Sequence, residues 1–287
     1  MEVTGTWFSG AKVKEIMATL QRDRWSRDSG KEHGRMLNTV LELVRQASTA
    51  IMAVYDTAFQ VEIKEDGSPL TRADRASHLI LDPGLRAQFQ ELPVISEETS
   101  EVIPYSRRSP WERFWLVDPL DGTKEFVKRN GEFTVNVALI EKGYPVLGVI
   151  GVPVTGSMYY ARKGEGAWKI AAPGATAERL SVRTLADGSP VTVVKSRSHP
   201  SPELARFLSN YHVGEEVSAG SALKFCLVAE GRADLYPRLG PTMEWDTAAG
   251  QAIVEEAGGQ VLDLEGRRFR YNKESLRNGP FYVKAGF

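Results

Sequence analysis

Residues 115–126 read WLVDPLDGTKEF. Trp115, Leu116, Val117 and Leu120 belong in a core, whereas Asp118 and Asp121 do not. The two carboxylates stand three residues apart, directly before Gly122 and a hydroxyl at Thr123. An apolar run that ends on charge reads as a buried strand delivering carboxylates to a site. Pro119 fixes one backbone angle, so a turn at DPLD brings both carboxylates, and the carbonyl between them, toward one point. Gly122 and Thr123 then open a helix whose first N–H groups are free to hold a phosphate. Lys124 adds positive charge beside it.

Two other places repeat the pattern. PVIS at 93–96 reads as a short buried strand leading into Glu97 and Glu98, and Asp246 opens a helix in EWDTAAGQAIVEEAGG, which stops at Gly258-Gly259. Alone, each has a plain reading: Asp246 as an N-cap, Glu97/Glu98 as an exposed loop, and Asp74 as the capping-box partner of Thr71 before a helix through about Leu81. Together they ask for more. Carboxylates gathered beside apolar residues repel one another and resist desolvation, and divalent cations relieve both costs. Two such cations sit roughly 3.5–4 Å apart in many phosphoryl-transfer sites. The four histidines (His33, His78, His199, His212) show no ligand spacing, and Cys226 is the single cysteine. Any metal must therefore be held by oxygen, which points to magnesium-like ions.

The bulk properties narrow the class. The 287 residues are 42% hydrophobic and 25% charged, enough for a sizeable core in one large fold or two joined lobes. A net charge of −1 with no long run of one sign argues against a basic nucleic-acid face. No apolar run approaches the roughly 18–20 residues of a membrane span, and the N-terminus lacks a signal-peptide layout. A lone cysteine excludes an intrachain disulfide and a thiolate zinc cluster. A cytoplasmic enzyme is the expectation.

Residues 1–35 mix charges with a weak helical pattern at Val13, Ile16, Met17 and Leu20, and read as an extension, loose or a short helix. From Met36 the pattern sharpens: Leu37, Val40, Leu41, Val44, Ala47, Ile51, Val54 and Tyr55 repeat at helical spacing. Phe59, Val61 and Ile63 alternate as a strand, and Gly67-Ser68-Pro69 turns the chain. FTVNVALI, PVLGVIGV and MYYA, separated by glycines, form an antiparallel meander. A looser stretch at 173–190 divides a first lobe, 36–172, from a second, 173–287. The second lobe alternates VTVVKS, helices near 201–210 and 221–230, ADLY, and the helix from Asp246. The fold class is mixed α/β (α+β), layered, with at least one antiparallel sheet and no internal repeat.

A phosphorylated-aspartate phosphatase of the haloacid-dehalogenase type carries Asp-x-Asp-Gly-Thr near the start of its core. Here the spacing is one residue longer and the motif lies over a hundred residues in, so that reading fails on context. The ordered set ISEE, DPLDGT and EWDTAAG instead resembles the lithium-sensitive, magnesium-dependent phosphatases of the inositol monophosphatase superfamily. DPLDGTKEFVKRNGEFTVNVALI, SRSH and GSALKFCLVAEGRADLYPR resemble its 3′(2′),5′-bisphosphate nucleotidase branch. Inositol phosphatases usually have Thr-Asn where Lys124-Glu125 stand. The resemblance runs from about Met36 to the C-terminus.

The resemblance implies an α-β-α-β-α sandwich of the inositol monophosphatase and fructose-1,6-bisphosphatase type. It implies Glu97, Asp118, Asp121, Asp246 and the Leu120 carbonyl as ligands for about two or three magnesium ions per site. Asp74 and Thr123 would orient and deprotonate the attacking water, and Gly122 and Thr123 would contact the scissile phosphate. Glu97, Leu120, Asp121 and Asp246 would also lie against substrate. Gly220, Ser221, Lys224, Ser196 and His199 would sit near the nucleotide, with Lys224, on a glycine-initiated helix, answering a second phosphate. The plain reading of Lys224 is a solvated helix lysine, and of His199 a loop residue. The implied reaction is hydrolysis of adenosine 3′,5′-bisphosphate to AMP and phosphate, in sulfur assimilation. The implied partner is this small nucleotide, with no nucleic acid, no integral membrane segment and a monomeric or homodimeric state. A peripheral place at the inner membrane is left open. An inositol monophosphate or sugar phosphate is the alternative substrate. A non-catalytic nucleotide or metal sensor is the alternative class, opposed by the Asp74/Thr123 pair, since a binder has no need to activate water.

Overall fold

The computed structural model describes residues 29–57, 61–63, 69–98, 103–196 and 202–286, with side chains from residue 34 onward except at 61–63 and 69–70. Helix α1 spans Ser29–Tyr55, and its stripe of Val40, Leu43, Val44, Ala47, Ile51 and Val54 is buried. Met36 lies seven residues inside this helix and is itself buried, so no element boundary falls there. Residues 1–28, Phe59 and the Gly67-Ser68 turn lie outside the described residues. A short hairpin, β1 (Val61–Ile63) and β2 (Pro69–Thr71), leads into α2, Arg72–Gln88. That helix runs past Leu81 and through Pro83, beyond the extent read from the sequence.

The first sheet has seven strands in the order β3-β4-β5-β6-β7-β8-β9: Val94–Ser96, Arg113–Asp121, Thr134–Glu141, Tyr144–Val152, Ser157–Arg162, Gly166–Ile170 and Ala177–Arg179. β3 and β4 are parallel and the rest is an antiparallel meander. β9 pairs with β8, so this sheet continues past residue 172, where the sequence placed the lobe boundary. Before β4 lies a single turn, α3 (Tyr105–Arg108), and after it another, α4 (Thr123–Val127).

The second sheet, in the order β11-β10-β12-β16-β14, is built from Val213–Ser218, Val191–Lys195, Leu235–Arg238, Phe281–Lys284 and Gln260–Asp263. Its first three strands are parallel and its last three antiparallel. Helices α5 (Pro202–Leu208), α6 (Leu223–Ala229) and α7 (Glu244–Glu256) connect them, and β13 (Thr242–Met243) pairs with β15 (Arg277–Asn278).

Alternation along the strands sorts the core into layers. Trp115, Val117, Val135, Val137 and Val149 face α1 and α2. Phe114, Leu116, Ala138 and Ile150 face the opposite way, toward Ala248, Ala249 and Ile253 of α7. Beyond α6 and α7 come Val194, Tyr236, Phe281 and Val283 of the second sheet. Its outer face carries Val191, Val193 and Leu235 against Phe207 and Leu208 of α5. The order is α1/α2, sheet, α6/α7, sheet, α5. Contact across the middle layers is close: a Cβ at Gly148 of β6 would lie 2.6 Å from the Ala249 carbonyl of α7.

Candidate active site

β4 does not turn at DPLD; it continues to Asp121 through a bulge. Asp118 pairs with Asn136 and Asp121 with Thr134, so Pro119 and Leu120 together stand opposite Val135 alone. In a regular strand, residues three apart face opposite sides. One extra residue resets the alternation and turns both carboxylates to the same side. Proline has no N–H to offer a ladder, and a bulge is where a central strand tolerates it. The bulge is held in place: Ser77 of α2 donates to the Pro119 carbonyl at 2.6 Å, and the Leu120 N–H donates to Asp118 Oδ1 at 3.1 Å. The Leu120 side chain is buried in the core, and its carbonyl accepts from Thr123 Oγ1 at 3.3 Å.

Glu97 follows β3, and its N–H donates to the Val117 carbonyl at 3.1 Å. Because β3 and β4 are parallel, their carboxyl ends share one edge, and Glu97 arrives beside Asp118. Asp246 comes from the first turn of α7, which begins at Glu244, two residues earlier than the sequence suggests. Asp246 is therefore not the N-cap; it accepts the Met243 N–H through Oδ2 at 2.8 Å.

The electrostatics follow from this gathering. Asp118 is 1% exposed, and burial, with Glu97, Asp121 and Asp246 beside it, pushes its carboxyl well above the usual carboxylate range. Asp246 is also pushed well up, by burial and then by Asp121. Asp121 is raised by burial, while Lys224, Ser221 and Asn136 pull it back. Buried carboxylates that raise one another's affinity for protons form a donor set of hard oxygens suited to a hard divalent cation. Among the described residues no three His, Cys, Asp or Glu side chains are already drawn into a set that could hold one ion.

Asp74 is 2% exposed and makes two sets of bonds. Its Oδ2 accepts from the N–H and hydroxyl of Thr71, at 2.7 and 2.6 Å, which completes the capping box of α2. Its Oδ1 accepts from Thr123 Oγ1 at 3.2 Å. Gly122, at φ +88°, is the N-cap of α4, in a conformation that favours glycine.

Next to these carboxylates opens a cleft of about 360 Å³. Asp121, Gly122, Lys124, Ser196, Gly220, Ser221, Lys224 and Asp246 line it. Tyr236 and Arg238, at the carboxyl end of β12, and Thr242 line it as well. Lys224 is not the solvated lysine of the plain reading. It is 5% exposed and donates to the Ser221 carbonyl at 2.6 Å. It also lies 5.4 Å from the centre of the Tyr236 ring. Burial lowers it to about 8, opposed by Asp121. α6 begins at Leu223, not at the glycine, and the Gly220 N–H already donates to Glu132 Oε2 at 2.8 Å. His199 lies outside the described residues. Arg238 and Tyr236 were not singled out in the sequence. The available signal was the one that marked Asp118, a charge closing an apolar strand, in ADLYPR.

Known proteins resemble this chain in sequence and in fold. A 3′(2′),5′-bisphosphate nucleotidase CysQ of Salmonella typhimurium is 51% identical over 254 residues, covering 86% of this chain and 99% of the relative. That of Escherichia coli K12 is 48% identical over the same length. The crystal structure of CysQ from Bacteroides thetaiotaomicron superposes with a TM-score of 0.74 at 41% identity, over 87% of this chain and 97% of that one. An IMPase of Thermotoga maritima gives 0.72 at 26% identity, over 88% and 92%. The model of the inositol monophosphatase family matches residues 33–284. On this span of sequence and this fold, the chain belongs to the inositol monophosphatase family.

Proposed function

We propose that the chain is a magnesium-dependent 3′(2′),5′-bisphosphate nucleotidase, releasing the 3′-phosphate of adenosine 3′,5′-bisphosphate to give AMP and inorganic phosphate. The observation that carries this reading is one cleft with two unlike halves. Asp121 and Asp246 line one half, with the buried Asp118 beside them; Lys224 and Arg238 line the other. A monophosphate needs only the first half, whereas a nucleotide with two phosphates uses both. The CysQ relatives carry the same activity in their name.

In this reading Glu97, Asp118, Asp121, Asp246 and the Leu120 carbonyl hold the cations. Magnesium, when bound, supplies counter-charge and Lewis acidity at the scissile phosphate. Thr123 accepts a proton from the attacking water while its own passes to Asp74, which the Thr71 bonds hold in place. Water oxygen bonds to phosphorus as the bond to the ribose 3′-oxygen breaks, and that oxygen takes a proton from solvent to leave as the 3′-hydroxyl of AMP. The Gly122 and Thr123 N–H groups face the departing phosphate. Lys224, Arg238, Ser221 and Ser196 hold the nucleotide side, with His199 and Gly220 as the remaining contacts expected from the resemblance. No helix among the described residues is long and apolar enough to cross a membrane. The reading carries with it a cytoplasmic location, consistent with a lone, unpaired cysteine.

Phosphate release from adenosine 3′,5′-bisphosphate, inositol 1-phosphate and a sugar phosphate, with magnesium titrated and lithium added, tests the proposal. The bisphosphate should be preferred, millimolar lithium should inhibit, and Asp118→Asn or Asp121→Asn should nearly abolish turnover. Preference for inositol 1-phosphate, or near-wild-type rates in either variant at limiting magnesium, would overturn it.

A further inference from the structure

The Gly220–Lys224 segment belongs to the second lobe but is seated on the first. Gly220 has no room around it: a Cβ there would lie 2.7 Å from the Glu132 carbonyl, 2.8 Å from Glu125 Cγ and 3.0 Å from Glu132 Cβ. Its N–H is taken by the Glu132 carboxylate at 2.8 Å. The next residue, Ser221, has φ +49°, a left-handed conformation uncommon for a non-glycine residue. Such a conformation persists where its surroundings over-determine it. Here the Ser221 hydroxyl lies 2.7 Å from that of Thr134, the first residue of β5. Thr134, fully buried, donates to Asn136 Oδ1 at 2.9 Å, and Asn136 reaches Asp121 at 3.4 Å. The Ser221 carbonyl in turn receives the Lys224 ammonium at 2.6 Å.

We propose that Glu132 and Thr134 are positioning residues: from the first lobe they clamp Gly220 and the left-handed Ser221, and so fix Lys224 at the substrate cleft. Neither touches the reacting atoms. Glu132 holds the backbone at Gly220, and Thr134 sets the direction of Ser221. This rests on the assignment of the cleft to a bisphosphate only in its kinetic arm. The clamp itself is a contact between lobes, and the Gly220 N–H reports on it directly.

The test uses the full chain and the variants Glu132→Ala, Glu132→Gln, Thr134→Val and Thr134→Ser. Amide hydrogen exchange over 219–224 should quicken about tenfold in Glu132→Ala, the loss of one bond to a charged acceptor. Glu132→Gln keeps an oxygen to receive the Gly220 N–H and should restore protection, and Thr134→Ser should do so where Thr134→Val does not. In kinetics with adenosine 3′,5′-bisphosphate, Glu132→Ala should raise KM by about the same factor with kcat nearly unchanged. Unchanged exchange in Glu132→Ala would overturn the clamp. So would faster exchange with an unaltered KM, or equal losses in Glu132→Ala and Glu132→Gln. A wild-type enzyme that leaves the bisphosphate intact would sink the substrate assignment instead, and the exchange result alone would then judge the clamp.

Discussion

Asp74 shows how a plain and a functional reading can both hold at one residue. A carboxylate has two oxygens, and here one completes the capping box with Thr71 while the other meets Thr123. Asp246 likewise spends one oxygen on the Met243 N–H. Lys224 is the residue whose titration should be visible. Its charged form exists below about 8, because burial costs the ammonium more than Asp121 returns. If Lys224 answers the second phosphate, kcat/KM for the bisphosphate should fall as pH rises through about 8. The limb should move up in kcat, where bound phosphate favours the ammonium. Lys224→Met should raise KM and remove that limb. A limb that persists unchanged in the variant would assign it to another group.

At the scale of the element, the decisive feature is the β4 bulge. The apolar run and its two aspartates were legible as a strand ending in a site, but the sequence suggested a turn. Whether Pro119 and Leu120 form a turn or a bulge depends on what Asn136 and Thr134 pair with, fifteen or so residues away. The bulge gives a specific prediction. Inserting one residue beside Val135 in β5 gives Pro119 and Leu120 a partner each, restores one-to-one pairing and, by strand alternation, sends Asp118 and Asp121, still three apart, to opposite faces. The lengthened chain should keep its far-ultraviolet circular dichroism, lose turnover and no longer be stabilised by magnesium. Retained magnesium stabilisation in a thermal melt would show that the bulge does not bring the pair together. α6 teaches the converse lesson. Its glycine looked like a helix start open to a ligand, yet the N–H is paired to Glu132, a residue 88 positions away.

For the whole molecule, the layered order brings two sheets to one cleft. The carboxyl ends of parallel β3 and β4 supply Glu97, Asp118 and Asp121, and those of parallel β10 and β12 supply Ser196 and Arg238. This convergence has a cost in the absence of cations. Asp118, Asp121 and Asp246 bind protons more tightly when folded than when unfolded. Stability therefore falls as pH rises from the ordinary carboxylate value of about 4 through their raised values. Lys224 acts oppositely and in a separate window, above about 8. In chelator, the melting temperature should decline from mildly acidic toward neutral pH, and magnesium should restore it at neutral pH by mass action. A chelated protein with the same melting temperature across that range would mean that the carboxylates are not crowded in solution.

The sequence by itself determined the parts. Local periodicity marked most of the helices and strands, apolar runs ending in charge brought out Glu97, Asp118 and Asp121, a helix start brought out Asp246, and the family resemblance of those motifs implied them as metal ligands, because these signals lie within a few residues of one another. The tertiary structure decided how the parts face. Strand register put Asp118 and Asp121 on one side, parallel pairing set Glu97 beside them, and packing of the second lobe on the first buried Lys224 and seated Gly220 against Glu132. These are contacts between residues far apart in the chain, set by pairing and close packing, and no local pattern encodes them.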